Sequence, residues 1–245
     1  DIIVIGAGGC GLMAASALFS EDGVTLKGTA YGPRIFRYGV DRIDQWTSGI
    51  RTLQADRDSK RAVLQIFSPS ELWRTGNLDV ACTVALQFLI RGNALEAVSY
   101  MRANDAYRGM VSDIFSFTFL QEVMARQLGV ELGRYHHHVG SLHIYDADLP
   151  RVEEVLGSED ELPSRASLGA FPAMPVSEAW PDIHHVLEIE KLLRTSAWHP
   201  RASELDDLPL DQFWKQVLAL FEVYREIRHG EPVDPLGGAA TLGGE

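Results

Sequence analysis

Cys82 sits in the segment DVACTVALQFLI, twenty residues before Arg102 and about sixty before His143 and Tyr145. The thiolate is the nucleophilic form of cysteine, and a nearby guanidinium favours it. Arg102 opens MRANDAYRGMVSD, which strings Ala103, Asn104, Asp105 and Asp113 along a stretch too irregular to read as one helix. Each residue also has a quieter reading. An apolar-flanked cysteine is commonly a small core residue, Asp113 can cap a helix, and a strand His and Tyr on one face can be a satisfied core pair.

Composition narrows the chemistry. The chain has 245 residues, 46% hydrophobic and 23% charged, the make-up of an ordinary globular protein. A net charge of -12 argues against nucleic acid as a bulk partner, although a small anion can still bind at a local arginine cluster. No apolar run is long enough to span a membrane and no signal peptide opens the chain, so a cytoplasmic location is expected. The two cysteines, Cys10 and Cys82, are too few for a disulfide framework or a cysteine-only zinc site. Consecutive strand residues point to opposite faces, so the run His136 to His138 cannot converge on one ion, and no metal is expected.

The positioning elements alternate between strand and helix. RAVLQIF (61–67) is strand-like, and VALQFLI (84–90), the RGN turn and ALEAVSYM (94–101) form an antiparallel hairpin. Asp113 then caps a helix to about Leu128, with Ile114, Phe117, Leu120, Met124 and Leu128 at helical spacing and Gly129 as its stop. VELGRYHHHVGSLHIY (130–145) reads as one long strand with Ser141, His143 and Tyr145 on a shared face. Residues 150–182 are proline-rich and acidic, helices follow at 183–195 and 209–229, and GGAATLGGE is a tail.

Residues 1–18 stand apart. Gly6, Gly8 and Gly11 make a GxGxxG turn between an apolar strand and a small-residue helix, as in a dinucleotide-binding unit. The acidic residue such a unit needs about twenty residues later falls near Tyr31, which is not acidic. A nucleotide- or flavin-binding module and a glycine-rich packing turn are the two readings of this segment.

KRAVLQIFSPSELW, DVACTVALQFLI, YMRANDAYRGMVSDIFSFTFLQEVMARQLGVELGRY and VGSLHIYDADL resemble, in order and spacing, the core motifs of the thymidylate synthase family. The resemblance covers about Phe19 to Leu149. It implies an α/β (α+β) fold, a mixed sheet packed with helices in a single domain, and a homodimer across the sheet. The expected organisation is a catalytic domain at 19–236 between the glycine-rich segment and a tail at 237–245. By the same resemblance Cys82 is the nucleophile that attacks C6 of a pyrimidine nucleotide, although the family's preceding proline is here Ala81. Arg102 contacts the phosphate, and Ala103 replaces the serine that follows that arginine in the family; Asn104 lies in the same substrate-binding run. Asp105 faces the pyrimidine or folate, and Tyr31 matches the tyrosine of the family's Tyr-Gly motif. Lys60 and Arg61 match the paired arginines that a partner subunit donates to the phosphate, and His143 and Tyr145 match the ribose-binding pair.

One departure changes the substrate expected. Where the family has an asparagine that reads the uracil edge, eleven residues after the arginine, this chain has Asp113. A carboxylate can accept from cytosine N4–H while a shared proton bonds N3. Asp113 in that place resembles the cytidylate hydroxymethylase branch, and most of all the CMP hydroxymethylases of nucleoside-antibiotic (mildiomycin-type) biosynthesis. The resemblance implies transfer of a methylene from 5,10-methylenetetrahydrofolate to C5 of CMP or dCMP, completed by water, with thymidylate-type methylation as the alternative. The family's catalytic glutamate and early phosphate-loop arginine have no counterpart in residues 1–20. The chain also opens without a methionine, so native residues are expected to precede it.

Overall fold

The computed structural model describes residues 30–73, 75, 80–158, 171–176 and 179–229. The glycine-rich segment lies outside them. The chain divides into two compact units, Asp1–Pro150 and Arg151–Glu245.

The first unit opens with helices α1 (Tyr31–Phe36) and α2 (Gln45–Ala55), strand β1 (Val63–Gln65) and a short helix α3 (Ser70–Trp73). Strands β2 (Thr83–Arg91) and β3 (Ala94–Met101) form the expected antiparallel hairpin, with Arg91 paired to Ala94. Gly92 supplies the positive φ, 60°, that this two-residue turn requires. A two-residue strand β4 (Asn104–Asp105) follows, then helix α4 (Met110–Leu128), strand β5 (Glu131–Val139) and a second short strand β6 (Leu142–His143). The main sheet has the order β1-β2-β3-β5, antiparallel except for the β3–β5 pair, and β4 pairs with β6 in parallel beside it. This is the mixed sheet with packed helices that the family resemblance implies.

Helix α4 is the crossover between the parallel strands. Its apolar stripe buries Phe117, Leu120, Val123 and Met124, with Leu64, Leu86, Phe88 and Leu95 buried on the strands. Gln121 Nε2 fixes it to the sheet, donating to Leu95 O at 2.8 Å and Gly133 O at 3.2 Å. Gly129, at φ 64°, ends the helix as expected. Trp46 of α2 packs edge-on against Phe88, with its Nε1 donating to Gln127 Oε1 at 2.8 Å.

Three expectations about these elements are corrected. The N-cap of α4 is Gly109, and Asp113 lies inside the helix's first turns, because the chain enters helix directly after the turn that follows β4. The long strand 130–145 breaks at Gly140, whose backbone passes so close to Arg102 that a Cβ there would meet Arg102 O at 3.0 Å. Beyond the break the chain leaves the main sheet to pair with β4, and Tyr145 lies past strand β6 at the start of a 3-10 turn, Asp146–Asp148. Finally, strand 61–67 shortens to β1.

A helix α5 (Leu149–Gly157) occupies the start of the proline-rich, acidic stretch. The second unit holds α6 (Ala179–Arg194), α7 (Ala202–Asp206) and α8 (Gln212–His229). Its buried residues include Ile183, Val186 and Leu193 of α6 and Trp214, Leu218 and Phe221 of α8. Arg225, 2% exposed, is paired through two 2.8 Å bonds with Glu222 one turn earlier. Among the described residues no helix is long and apolar enough to cross a membrane.

Candidate active site

Cys82 is a free cysteine of intermediate exposure, placed just before β2 and beside the end of β3. Arg102 grips its loop in four ways. Its backbone N–H donates to Cys82 O at 2.9 Å, Nε donates to Ala81 O at 2.9 Å and Nη2 to Val80 O at 2.8 Å. The same Nη2 lies 3.7 Å from Cys82 Sγ. One guanidinium therefore shapes the loop and presents a positive charge to the sulfur.

Two further residues support this loop from another direction. Glu71 of α3 is buried; its Oε2 accepts from Ala81 N at 3.0 Å while its Oε1 pairs with Arg34 of α1. Arg34 also donates to Ile66 O at 2.5 Å. Neither residue was assigned a role from sequence, although SELW lies within the first of the matched segments. Tyr31, three residues before Arg34, has its hydroxyl accepting from Thr83 N at 3.2 Å. Burial pushes the Tyr31 hydroxyl up from its ordinary range, against the bonds from Thr83, and the negative charges of Asp113 and Cys82 add to the rise. Tyr31, Cys82 and Asp113 therefore share one electrostatic neighbourhood.

Asp113 faces back toward the end of β3. Its Oδ2 accepts from Asn104 Nδ2 at 2.5 Å, and the same Nδ2 lies 3.3 Å from Met101 Sδ. Burial pushes the Asp113 carboxyl up to about 6, and only the Asn104 hydrogen bond opposes it. Asn104 is 3% exposed, and its Oδ1 is buried without a protein partner. Asp105 is similar: Oδ1 accepts from Tyr107 N at 2.8 Å and from Arg108 N, while Oδ2 is buried without a protein partner. Such buried acceptors carry a desolvation cost of about 1 to 3 kcal/mol unless a donor arrives.

The β4–β6 ladder sets Asp105 against His143, and Ala106 N donates to His143 O at 2.8 Å. His143 and Tyr145 stand edge to face with ring centres 5.1 Å apart, Tyr145 being 56% exposed. Arg108, another residue not singled out from sequence, clamps the same region by a two-pronged pair with Asp148, 2.6 Å on Nη2. Ala103 lies between Arg102 and Asn104 and is partly exposed.

Lys60 and Arg61 are not brought to this group. Lys60 pairs with Asp58 at 2.8 Å, and Arg61 Nε reaches only Ser59 Oγ, 3.4 Å away. Phe88 N donates to Ala62 O, so both cations lie six or more residues along β2 from Cys82, about 20 Å. The histidine run alternates across the sheet as its strand requires. His137 bonds Ser99 and Tyr135, whereas His138 stacks on Tyr100 and His136 lies 3.8 Å from Glu96.

The family model described as thymidylate synthase matches residues 20–171, more than half of the chain. The chain belongs to the thymidylate synthase family. Among curated relatives, a "Putative thymidylate synthase" of Methanocaldococcus jannaschii is 34% identical over 130 residues, covering 51% of this chain and 59% of the relative. A protein of the same name from Methanothermobacter thermautotrophicus is 31% identical, covering 51% and 55%. A deoxyuridylate hydroxymethyltransferase of Bacillus phage SP01 is 31% identical over 137 residues, covering 52% of this chain and 36% of the relative. The chain thus spans about half the length of the relatives it matches. Within this family member the matched region carries every residue of the Cys82–Arg102–Asp113–His143 cluster.

Proposed function

We propose that this thymidylate synthase family member is a one-carbon transferase that hydroxymethylates C5 of a cytidine monophosphate. Asp113 carries the reading: a buried carboxyl, raised to about 6, that can hold a proton near neutral pH. Cytosine offers a donor at N4 and an acceptor at N3. Protonated Asp113 presents the complementary pair, one oxygen to accept from N4–H and one O–H to bond N3. Because a carboxyl oxygen has two lone pairs, Oδ2 can accept from Asn104 and from the base together. Uracil carries O4 and N3–H at those positions and would leave the carboxyl mispaired.

Cys82 is placed to bond C6, which makes C5 nucleophilic, and the Arg102 guanidinium stabilises the sulfur's charge before bonding and after release. 5,10-Methylenetetrahydrofolate is the co-substrate that supplies the methylene. The buried, unpartnered Asp105 Oδ2 suits a donor from the base or the pterin, and the part-exposed His143 and Tyr145 suit the ribose. Completion by water is favoured by the phage relative whose name specifies a hydroxymethyltransferase, although that name specifies deoxyuridylate. Completion by reduction, as in a methylating synthase, is the second reading, favoured by the names of the archaeal relatives.

Beside Arg102, the rest of the phosphate contact is assigned to a second chain. Lys60 and Arg61, about 20 Å from Cys82 along β2, serve the site of a partner in a homodimer. The sheet face turned away from α4 supports this, since Val63 and Tyr100 are 44% and 40% exposed there. The test is incubation of the full-length protein with CMP, dCMP, UMP and dUMP plus 5,10-methylenetetrahydrofolate, reading products by mass. A CMP product heavier by CH2O is expected. A product heavier by CH2, or turnover of uridylates alone, overturns the reading.

A further inference from the structure

Ser99, Tyr135 and His137 form a closed hydrogen-bonded cluster that none of the chemistry above uses. Tyr135 Oη donates to Ser99 Oγ at 2.8 Å, Ser99 Oγ lies 2.9 Å from His137 Nδ1, and Tyr135 Oη lies 2.7 Å from the same nitrogen. Ser99 is fully buried. Tyr135 donates to Ser99 and also lies within reach of Nδ1, and Ser99 can donate to Nδ1, so the protons run toward the imidazole. The chain ends on an imidazole lone pair. His137 Nε2 has no protein partner, so only these two residues orient the ring.

The cluster lies level with Asp113. Helix α4 joins parallel strands and runs back along them, anchored where Gln121 bonds Leu95 and Gly133. From Gln121 to Asp113 the helix rises about 12 Å. From Gly133 to His137 the strand advances about 13 Å. Asp113 is thus set over Ser99 and His137, and the Met101–Asn104–Asp113 contacts follow two residues farther along β3. Electrostatics agrees: burial chiefly pushes the Tyr135 phenol up, to about 12, and the charge of Asp113 adds to that rise. Burial and the neighbouring His138 hold His137 below its ordinary range, leaving the imidazole neutral and able to accept.

We propose that Tyr135, Ser99 and His137 are a proton relay for the water-addition step, an inference that rests on the hydroxymethylase reading. In that step the water oxygen bonds the exocyclic methylene on C5, the electron pair shifts into the ring, and the C6–S bond breaks to return Cys82 as thiolate. The proton lost by water passes to Tyr135 Oη as the phenol proton moves to Ser99 and the Ser99 proton to His137 Nδ1. After product leaves, the imidazolium returns the proton along the same chain, Nδ1 to Ser99 to Tyr135, to water in the emptied site, since its Nε2 is buried. A phenol that stays protonated suits this path, since it must accept and donate at once.

The test uses the full-length protein with CMP tritiated at C5, co-substrate, and a small thiol that captures the exocyclic methylene in competition with water. Tritium release reports the steps before water addition, and the ratio of thiol adduct to hydroxymethyl product reports the addition itself. Tyr135→Phe and Ser99→Ala should leave tritium release within about twofold of wild type and raise the adduct ratio tenfold or more, the scale of a lost general base. His137→Gln should do the same. Unchanged ratios in Tyr135→Phe and Ser99→Ala overturn the relay while leaving the hydroxymethylase reading intact. Absence of tritium release in the wild type overturns that reading, and the relay with it.

Discussion

Asn104 Nδ2 donates to Asp113 Oδ2 across 2.5 Å, tying the residue two places after Arg102 to the one eleven places after it. The bond fixes the carboxyl's rotation and leaves Oδ1 as the oxygen without an Asn104 bond. Asp113→Asn can keep it, through an amide oxygen that accepts from Asn104, while exchanging the edge offered to the base. We expect it to weaken cytidylate and improve uridylate by about 1 to 3 kcal/mol per mispaired group, roughly tenfold to a hundredfold in relative kcat/KM. An unchanged preference in competition assays would leave Asp113 a structural residue.

The same substitution has a stability signature. Asp113 has its folded value raised to about 6 from 3.8, so its contribution is favourable below pH 4 and is lost as pH rises through 6. Asp113→Asn should therefore match wild type near pH 4 and exceed it above pH 6, by an amount on the order of 1 to 3 kcal/mol. Urea midpoints across this range measure the gap, and a gap independent of pH would contradict the burial of a charge here.

Replacing the nucleophile gives a sharper outcome. Cys82→Ser should abolish turnover and tritium release from C5 while nucleotide binding stays within a few-fold, because the alcohol does not ionise at neutral pH. Cys10→Ser should do little. Calorimetry of CMP binding beside the activity assay checks both, and an active Cys82→Ser variant removes the covalent mechanism.

Lys60→Ala and Arg61→Ala should each raise KM for nucleotide more than they lower kcat, since each would remove the proposed charge-assisted contact to phosphate. Mixed with Cys82→Ser under conditions where subunits exchange, either should regain activity, because the mixed dimer rebuilds one intact site. Exchange without rescue would place both cations outside the partner's site.

By family resemblance Ala103 replaces a phosphate-holding serine, and we propose that the missing hydroxyl lets the nucleotide settle with a ribose 2'-hydroxyl. Ala103→Ser should raise dCMP turnover relative to CMP by about 0.5 to 1.5 kcal/mol, severalfold in rate. A wild-type preference for dCMP, or an unmoved ratio, argues against the ribonucleotide assignment.

What sequence made legible was local. The β2–β3 hairpin follows from alternation around Gly92–Asn93, and the end of α4 from Gly129, because each rests on neighbouring residues. Asp113 as a cap failed because the helix starts earlier, at the turn fixed by Gly109. The strand break failed because it depends on Arg102 passing close to Gly140, nearly forty residues away in the chain. The Arg34–Glu71 support and the Ser99–Tyr135–His137 cluster have no local signature; each couples residues more than thirty positions apart. The roles proposed for Lys60 and Arg61 rest on family resemblance, since nothing in their own spacing points to a partner subunit.

The parts of the site are joined by main chain. Arg102 N bonds Cys82 O, Asn104 N bonds Ser141 O, Ala106 N bonds His143 O and Asp113 N bonds Gly109 O. These bonds take no account of side-chain identity. The spacing between Cys82, Asp113 and His143 is thereby insulated from substitution at any one of them. Replacing the side chain of Ala103 or Asp113 leaves these backbone bonds in place, so under the proposed roles a change of substrate would need single replacements and no remodelling of the fold.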